Sequence, residues 1–338
     1  MKSLLSVHRR LRASRKGAGL VEYGVVVGLV SVLAIGSVLS LGERVESTYC
    51  TVVDTLGGSQ SGFTDDSCGA FGAPMVLEVS VAAGEQVDFI FGSSGDSIDI
   101  AVDWGDESAQ GRVDAASSAP APDRTATHTY TEAGTYTIRL AGEATFFRSL
   151  SPDSLVAVRD WGELGLTSLW NAFSGHTVLA SLPGDLPDGV TTIQLILDGA
   201  TANPSGMSSW DVRNVEHMGD AFRNAVNFDQ DLSSWRPESV RFMPRMFQGA
   251  SAFTSDLSAW NVGNAEETWQ MFQDASSFNA DLSNWDVSEV TDMNGMFRDA
   301  TSFSSDLSGW CVDDILSAPV NFSVNTASVI DPVWSSCP

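Results

Sequence analysis

The sequence predicts three successive architectures: a hydrophobic α-helix near the N-terminus, a small antiparallel β-sandwich, and a solenoid of stacked 25-residue units. Three observations carry this. The run from Gly24 to Leu41 holds no charge, apolar and polar residues alternate from Met75, and tryptophans recur at Trp210, Trp235, Trp260, Trp285 and Trp310. A fixed interval of that length marks units that cannot bury an apolar face alone and must stack on their neighbours.

Charge narrows the function classes. The chain has 338 residues and a net charge of -25, with 18 basic residues of which Lys2, Arg9, Arg10, Arg12, Arg15 and Lys16 precede Gly17. Beyond Gly17 only arginines face the 43 Asp and Glu, and there is no lysine. Such a surface repels nucleic acid, whose binding draws on Lys and Arg against phosphates, so no nucleic-acid partner is expected. The four cysteines, Cys50, Cys68, Cys311 and Cys337, lack C-x-x-C spacing and allow three pairings. In an exported chain, proximity favours two local disulfides, Cys50 with Cys68 and Cys311 with Cys337.

Residues 1–17 read as a basic leader ending in Arg15-Lys16-Gly17, and residues 18–45 as the hydrophobic helix. At 1.5 Å per residue, the segment 24–41 reaches ~27 Å, enough for a bilayer core. Positive charge before it and acidic residues after it place the N-terminus in the cytoplasm and the remainder outside. A cut between Gly17 and Ala18 would precede the apolar segment and make Glu22 and Tyr23 the fifth and sixth residues of the mature chain. Arg-Lys-Gly followed by AGLVEYGVVVGLVSVLAIGS resembles the N-terminus of Flp-type (Tad) type IV pilins. That resemblance implies cleavage by a prepilin peptidase and packing of the segment at Glu22 and Tyr23 against other pilin subunits. It also implies residence in the inner membrane before assembly at the cell surface. A carboxylate at the edge of an apolar segment needs a cationic partner, which agrees. Flp pilins are small, so the long region beyond the helix favours a minor or decorating subunit.

Residues 46–74, with Gly57-Gly58-Ser59-Gln60-Ser61-Gly62 and Pro74, form a disulfide-pinned linker. Residues 75–148 follow as the β-domain, since MVLEVSV, QVDFIF, SIDIAVDW and TYTIRL have the period of two that strands require. VDWGDES and HTYTEAGTYTIRL resemble a PKD-like β-sandwich. Asp103, Asp106 and Glu107 make an oxygen-rich turn of the kind that suits calcium. They equally suit an Asx-type turn in which Asp106 bonds its own backbone; the second reading is preferred, and no cofactor or metal is assigned. Trp104 is expected in the core.

The array occupies residues 155–310, with a C-terminal disulfide cap at 311–338. Phe222, Phe247, Phe272 and Phe297 keep the tryptophan interval, as do Phe228, Phe253, Phe278 and Phe303. These columns are expected to be the stacked interior. Within one unit, Leu282, Trp285 and Val287 suit an extended segment, whereas Val290, Met293, Met296 and Phe297 follow helical spacing. The pair suggests a leucine-rich-repeat-like coil. Asp231, Asp256, Asp281 and Asp306, each followed by Leu-Ser, read either as a ladder of cation sites or as stacked turn residues, and turn chemistry is preferred. Arg213, Arg223, Arg241, Arg245 and Arg298 fall at outward positions, as a basic stripe or as charge balance for neighbouring acids.

Units such as MFRDATSFSSDLSGW closely resemble the BspA-like leucine-rich-repeat surface proteins, and VDWGD, the hairpin, WGEL and the terminal WCV…PVWSSCP follow in that family's order. The resemblance implies surface display and adhesion to a host, surface or glycan ligand that the sequence does not name. No G-x-S-x-G, H-E-x-x-H, phosphate loop or dinucleotide fingerprint is present, and no catalytic residue can be selected. The expected function is cell-surface adhesion or recognition without enzymatic activity, as a minor or decorating pilin of a Tad/Flp-like pilus. The alternatives are a membrane-anchored surface receptor or scaffold, and an accessory to a glycan-directed hydrolase.

Overall fold

A computed structural model describes residues 72–92, 98–109, 111–114 and 123–337, all within the compact unit Ala70–Pro338. It opens with eight strands: β1 (Met75–Val81), β2 (Gln86–Gly92), β3 (Asp99–Asp103), β4 (Gly111–Asp114), β5 (Asp123–Thr129), β6 (Gly134–Glu143), β7 (Phe146–Ser149) and β8 (Leu155–Asp160). Two antiparallel sheets result, ordered β4-β3-β6-β1-β8 and β5-β2-β7. Alternation in β1 sends Met75, Leu77, Val79 and Val81 inward, to meet Phe89 and Phe91 of β2 and Phe147 of β7. Sequence reading begins the array at residue 155, yet β8 pairs with β1 and completes the first sheet.

The array grows directly from the sandwich. Phe146 in β7 starts a run of single-residue parallel bridges through Ser168, Thr192, His217, Phe242, Glu267 and Asp292, and Ala157 in β8 starts another through Ser181 and Ser205. Both sheets thereby lend an edge to the first coils, and one hydrophobic core runs through sandwich and array. The sandwich is the N-terminal cap that a solenoid needs to cover its first apolar face. At the other end Cys311 and Cys337 are disulfide-bonded and close the last coil.

Two expectations fail. The first is α-helix as a component of the fold, which the described residues do not support; the N-terminal pilin-type segment 18–45 expected to form it lies outside them. Apart from a 3-10 turn at Met207–Ser209, no helix occurs among the described residues, none is long and apolar enough to cross a membrane, and the architecture is β-sheet and turn. Gly17, Ala18, Glu22, Tyr23, Cys50 and Cys68 lie outside the described residues.

The second is the helical half of each repeat. Two left-handed residues four apart interrupt every unit: Asp220 and Asn224, Arg245 and Gly249, Gln270 and Asp274, Gly295 and Asp299. Helical hydrogen bonding cannot propagate through them. Alternate N–H groups point to the following coil instead. Those of Met243, Arg245, Phe247 and Gly249 donate to the carbonyls of Glu267, Trp269, Met271 and Gln273 at 3.2, 3.0, 2.9 and 2.8 Å. Those of Gln248 and Ala250 bond three residues back. Val290, Met293, Met296 and Phe297 are all buried, so the spacing reported an inward face correctly, but a chain of turns rather than a helix supplies it.

Aromatic columns fill the interior. Trp210, Trp235, Trp260 and Trp285 stack with centroids 6.2, 6.0 and 6.5 Å apart, and Phe222, Phe247, Phe272 and Phe297 at 5.3, 5.5 and 5.6 Å. Within each coil a second phenylalanine lies 4.1 Å from the first, as Phe278 does from Phe272. The stacked tryptophans have their indole N–H groups satisfied by an earlier coil: Trp235, Trp260, Trp285 and Trp310 donate to the carbonyls of Met207, Leu232, Leu257 and Leu282 at 2.8 to 3.0 Å. Phe272→Ala removes a ring that stacks on both neighbouring coils; it should cost about 3–5 kcal/mol in urea unfolding and leave the sandwich strands paired in hydrogen exchange.

Sandwich and array are joined over a buried histidine. His176 is 0% exposed; its Nδ1 lies 3.2 Å from the Ser174 carbonyl and its Nε2 3.0 Å from Ser149 Oγ in β7. Nδ1 therefore carries the proton and Nε2 accepts from the serine. Burial lowers its pKa from 6.5 to about 4. The unfolded chain then binds the extra proton first, so the stabilisation is complete above about pH 6.5 and is lost as pH falls through about 4, on the order of 3 kcal/mol in all. Urea midpoints of the wild type should fall between pH 6.5 and 4.5 more steeply than those of His176→Gln, and parallel curves would contradict this assignment.

Candidate functional site

Outward positions of the array form columns as regular as the interior ones. The bridge column holds Thr192, His217, Phe242, Glu267 and Asp292. Beside it runs a column set by the N–H bonds of Asn171, Leu195, Asp220, Arg245 and Gln270 to the carbonyls of the next coil. It contains Gln194, Gly219, Pro244, Trp269 and Asn294, with Trp170 at its head. These columns vary where the interior repeats. A rigid frame that holds variable side chains in register is the arrangement a recognition surface requires.

The middle of this face is an interlocked cluster. Arg223 forks onto Asp198 of the preceding coil with two bonds of 2.8 Å and reaches Asp220 at 2.9 Å. Arg245, one coil on, places Nη2 2.9 Å from Asp220 Oδ2 and lies with its guanidinium 4.7 Å from the centre of the Trp269 ring. Trp269 donates its indole N–H to Glu267 at 3.3 Å. Arg241 bonds Glu266 at 2.8 Å and covers Phe242 at 5.1 Å, and Phe242 stacks on His217 at 5.1 Å. Asp220 is only 6% exposed and sits between two guanidinium groups; the hydrogen bond to Asp198, with the charges of Asp198 and Asp220, raises the pKa of Arg223 still further.

Of the arginine candidates, Arg223, Arg241 and Arg245 come together here, while Arg213 pairs with Asp211 and Arg298 with Asp299. All five are matched by acids, which is the charge-balance reading. The hydrogen bonds and charge of Arg213 hold the exposed Asp211 carboxyl down at about 2. What sequence reasoning missed is the aromatic part: Phe242, Trp269 and Trp170 break the column pattern, and that irregularity is the signal that could have selected them.

Both carboxylate candidates resolve into turns. Asp231, Asp256, Asp281 and Asp306 each accept the N–H of the serine two residues on, at 2.9 to 3.0 Å. Those serine bonds hold the carboxyls of Asp231, Asp281 and Asp306 below the usual range. In the sandwich, Asp103 Oδ1 accepts the Gly105 N–H at 3.0 Å; Asp106 accepts the Ser108 N–H at 3.1 Å and faces His128 Nε2 at 2.7 Å. Burial alone would raise the Asp106 carboxyl, but the Ser108 and His128 bonds more than offset it and lower its pKa. Glu107 is exposed in a left-handed turn position, and Trp104 is buried, stacked on His128 at 4.9 Å. Cys311, Asp313 and Cys337 converge, yet both sulfurs are spent in the disulfide and offer no thiolate to a metal.

Two family models match the chain. The PKD domain model matches residues 70–147, and the model described as "Mycoplasma protein of unknown function, DUF285" matches residues 171–272 and 239–329. No curated protein and no solved structure matches. The matches support the PKD and BspA-like resemblances and mark the chain as a surface-associated, extracellular protein; they give no support to a pilin N-terminus. Arg245→Met should destabilise the array by about 2–3 kcal/mol in chemical denaturation, because Asp220 loses one of its two guanidinium partners, and adding Asp220→Asn should recover part of the loss.

Proposed function

We propose that this extracellular protein is an adhesion or recognition protein whose binding surface is the bridge-column face of the array, between Trp170 and Trp269. The observation that carries the reading is the cluster of His217, Arg241, Phe242, Arg245 and Trp269. Aromatic and arginine side chains, which dominate binding hot spots, are here pre-ordered by stacking and ion pairs on neighbouring coils. A surface that is ordered before contact loses little conformational entropy on binding. The role is one of binding and includes no bond-making step. Incorporation into a pilus is not part of it; the array needs only to be held facing outward.

The test uses the intact protein. Adhesion of beads coated with it to cells and to abiotic surfaces should drop at least tenfold with Arg241→Ala plus Phe242→Ala, since a single hot-spot side chain costs about 2 kcal/mol or more. Asn284→Ala, an exposed position away from this face, should leave adhesion unchanged. Equal loss in both variants, or in neither, would sink the assignment of the face.

A further inference from the structure

We infer that the ligand of this face is a neutral, extended polysaccharide, laid along the axis of the array from Trp170 to Trp269; the inference rests on the recognition role proposed above. Four features point to sugar rather than to protein or polyanion.

The first is aromatic placement. Trp170 is 40% exposed, lies 6.0 Å from Phe146, and its indole N–H meets no acceptor among the described residues. Trp269 stands in the same column four coils on and is half-buried. At the ~4.8 Å separation of paired strands the two indoles are roughly 19 Å apart. A flat indole presents a C–H-binding face and one N–H donor, which suits the two-sided character of a pyranose ring; Trp170 offers both, whereas Trp269 gives its N–H to Glu267 and lies under Arg245, and so offers ring surface only.

The second is spare hydrogen-bonding capacity between those two rings. The side-chain amides of Gln194, Gln248 and Gln270 are half-buried and bond to no group among the described residues. An amide both donates and accepts, as a hydroxyl does, whereas a peptide backbone offers its groups only in fixed alternation.

The third is the lack of net positive charge. Across this strip Arg223, Arg241 and Arg245 are matched by Asp198, Asp220 and Glu266, and Glu267 of the bridge column adds a further carboxylate, in a chain of net charge -25. No cationic excess remains to hold an anionic glycan, and the surrounding acidity repels one. The fourth is the repeat itself. Coils succeed one another at about the length of a single sugar residue in an extended polysaccharide, so equivalent positions on successive coils meet successive residues in register. At Gly219 the column lacks a side chain between Gln194 and Pro244, where a β-carbon would lie 3.3 Å from the proline ring, and the strip stays level for a continuous chain.

The test is affinity electrophoresis and pull-down of the intact protein with β-1,4-glucan, β-1,3-glucan, chitin, xylan and mannan, beside alginate as the anionic counterpart. Retention by at least one neutral polysaccharide is expected and none by alginate. Trp170→Ala and Trp269→Ala should each weaken that retention at least tenfold, while Trp269→Phe keeps most of it and thermal midpoints confirm that all variants fold. Retention by none of the neutral polymers, preference for alginate, or indifference to both Ala variants overturns the proposal. If no polymer binds but adhesion still depends on Arg241 and Phe242, the ligand class is wrong and the recognition face stands. If that dependence is absent as well, the face itself is wrong.

Discussion

In the array, the coils from Leu169 to Asp274 each hand four alternate backbone N–H groups to the carbonyls of the next, the last coil hands three, and every other arrangement in the repeats depends on that transfer. It requires left-handed residues at two positions four apart, which excludes a helix and turns the backbone into a short, flat strip. It also fixes the register. With 25 residues between equivalent donors, Trp stacks on Trp and Phe on Phe, and a slip by one residue would break the backbone bonds and both aromatic columns together. The indole bonds run the opposite way, from each Trp to a carbonyl of an earlier coil, so neighbouring coils are tied in both directions.

A stack of this kind has two ends to protect, and the molecule treats them differently. At the N-terminal end, β7 and β8 extend the sandwich into the first coils, and His176 packs its neutral ring against Ser149 beneath the join. At the C-terminal end the disulfide closes a coil whose Leu316, Val320, Val324, Ile330 and Val333 are exposed.

Electrostatics follows the same division between frame and face. Acidic side chains in the turns are used as hydrogen-bond acceptors for the backbone two residues on, which gives each stacked aspartate a local partner. Arginine is spent on the bridge-column face, where each guanidinium is shared between an acid and an aromatic ring or a second acid. That face gathers paired charges on neighbouring coils within a strongly acidic chain.

The period of 25, the aromatic interior, the alternating strands and the turn role of the Asp-Leu-Ser columns were all legible in the sequence, because each depends on burial or on bonds within two residues. Spacing showed that Met293, Met296 and Phe297 face inward, but it could not say that they do so without a helix, since left-handed residues at Gly295 and Asp299 reproduce a helical interval while sending their N–H groups to another coil. Only tertiary structure decided that β8 belongs to the sandwich and that Trp170 and Trp269 share a column. It also decided that Arg245 stands over Trp269 while bonding Asp220. Those relations join residues 22 to 27 or more apart through backbone bridges between coils, and a one-dimensional pattern holds no record of which outward positions such bridges align.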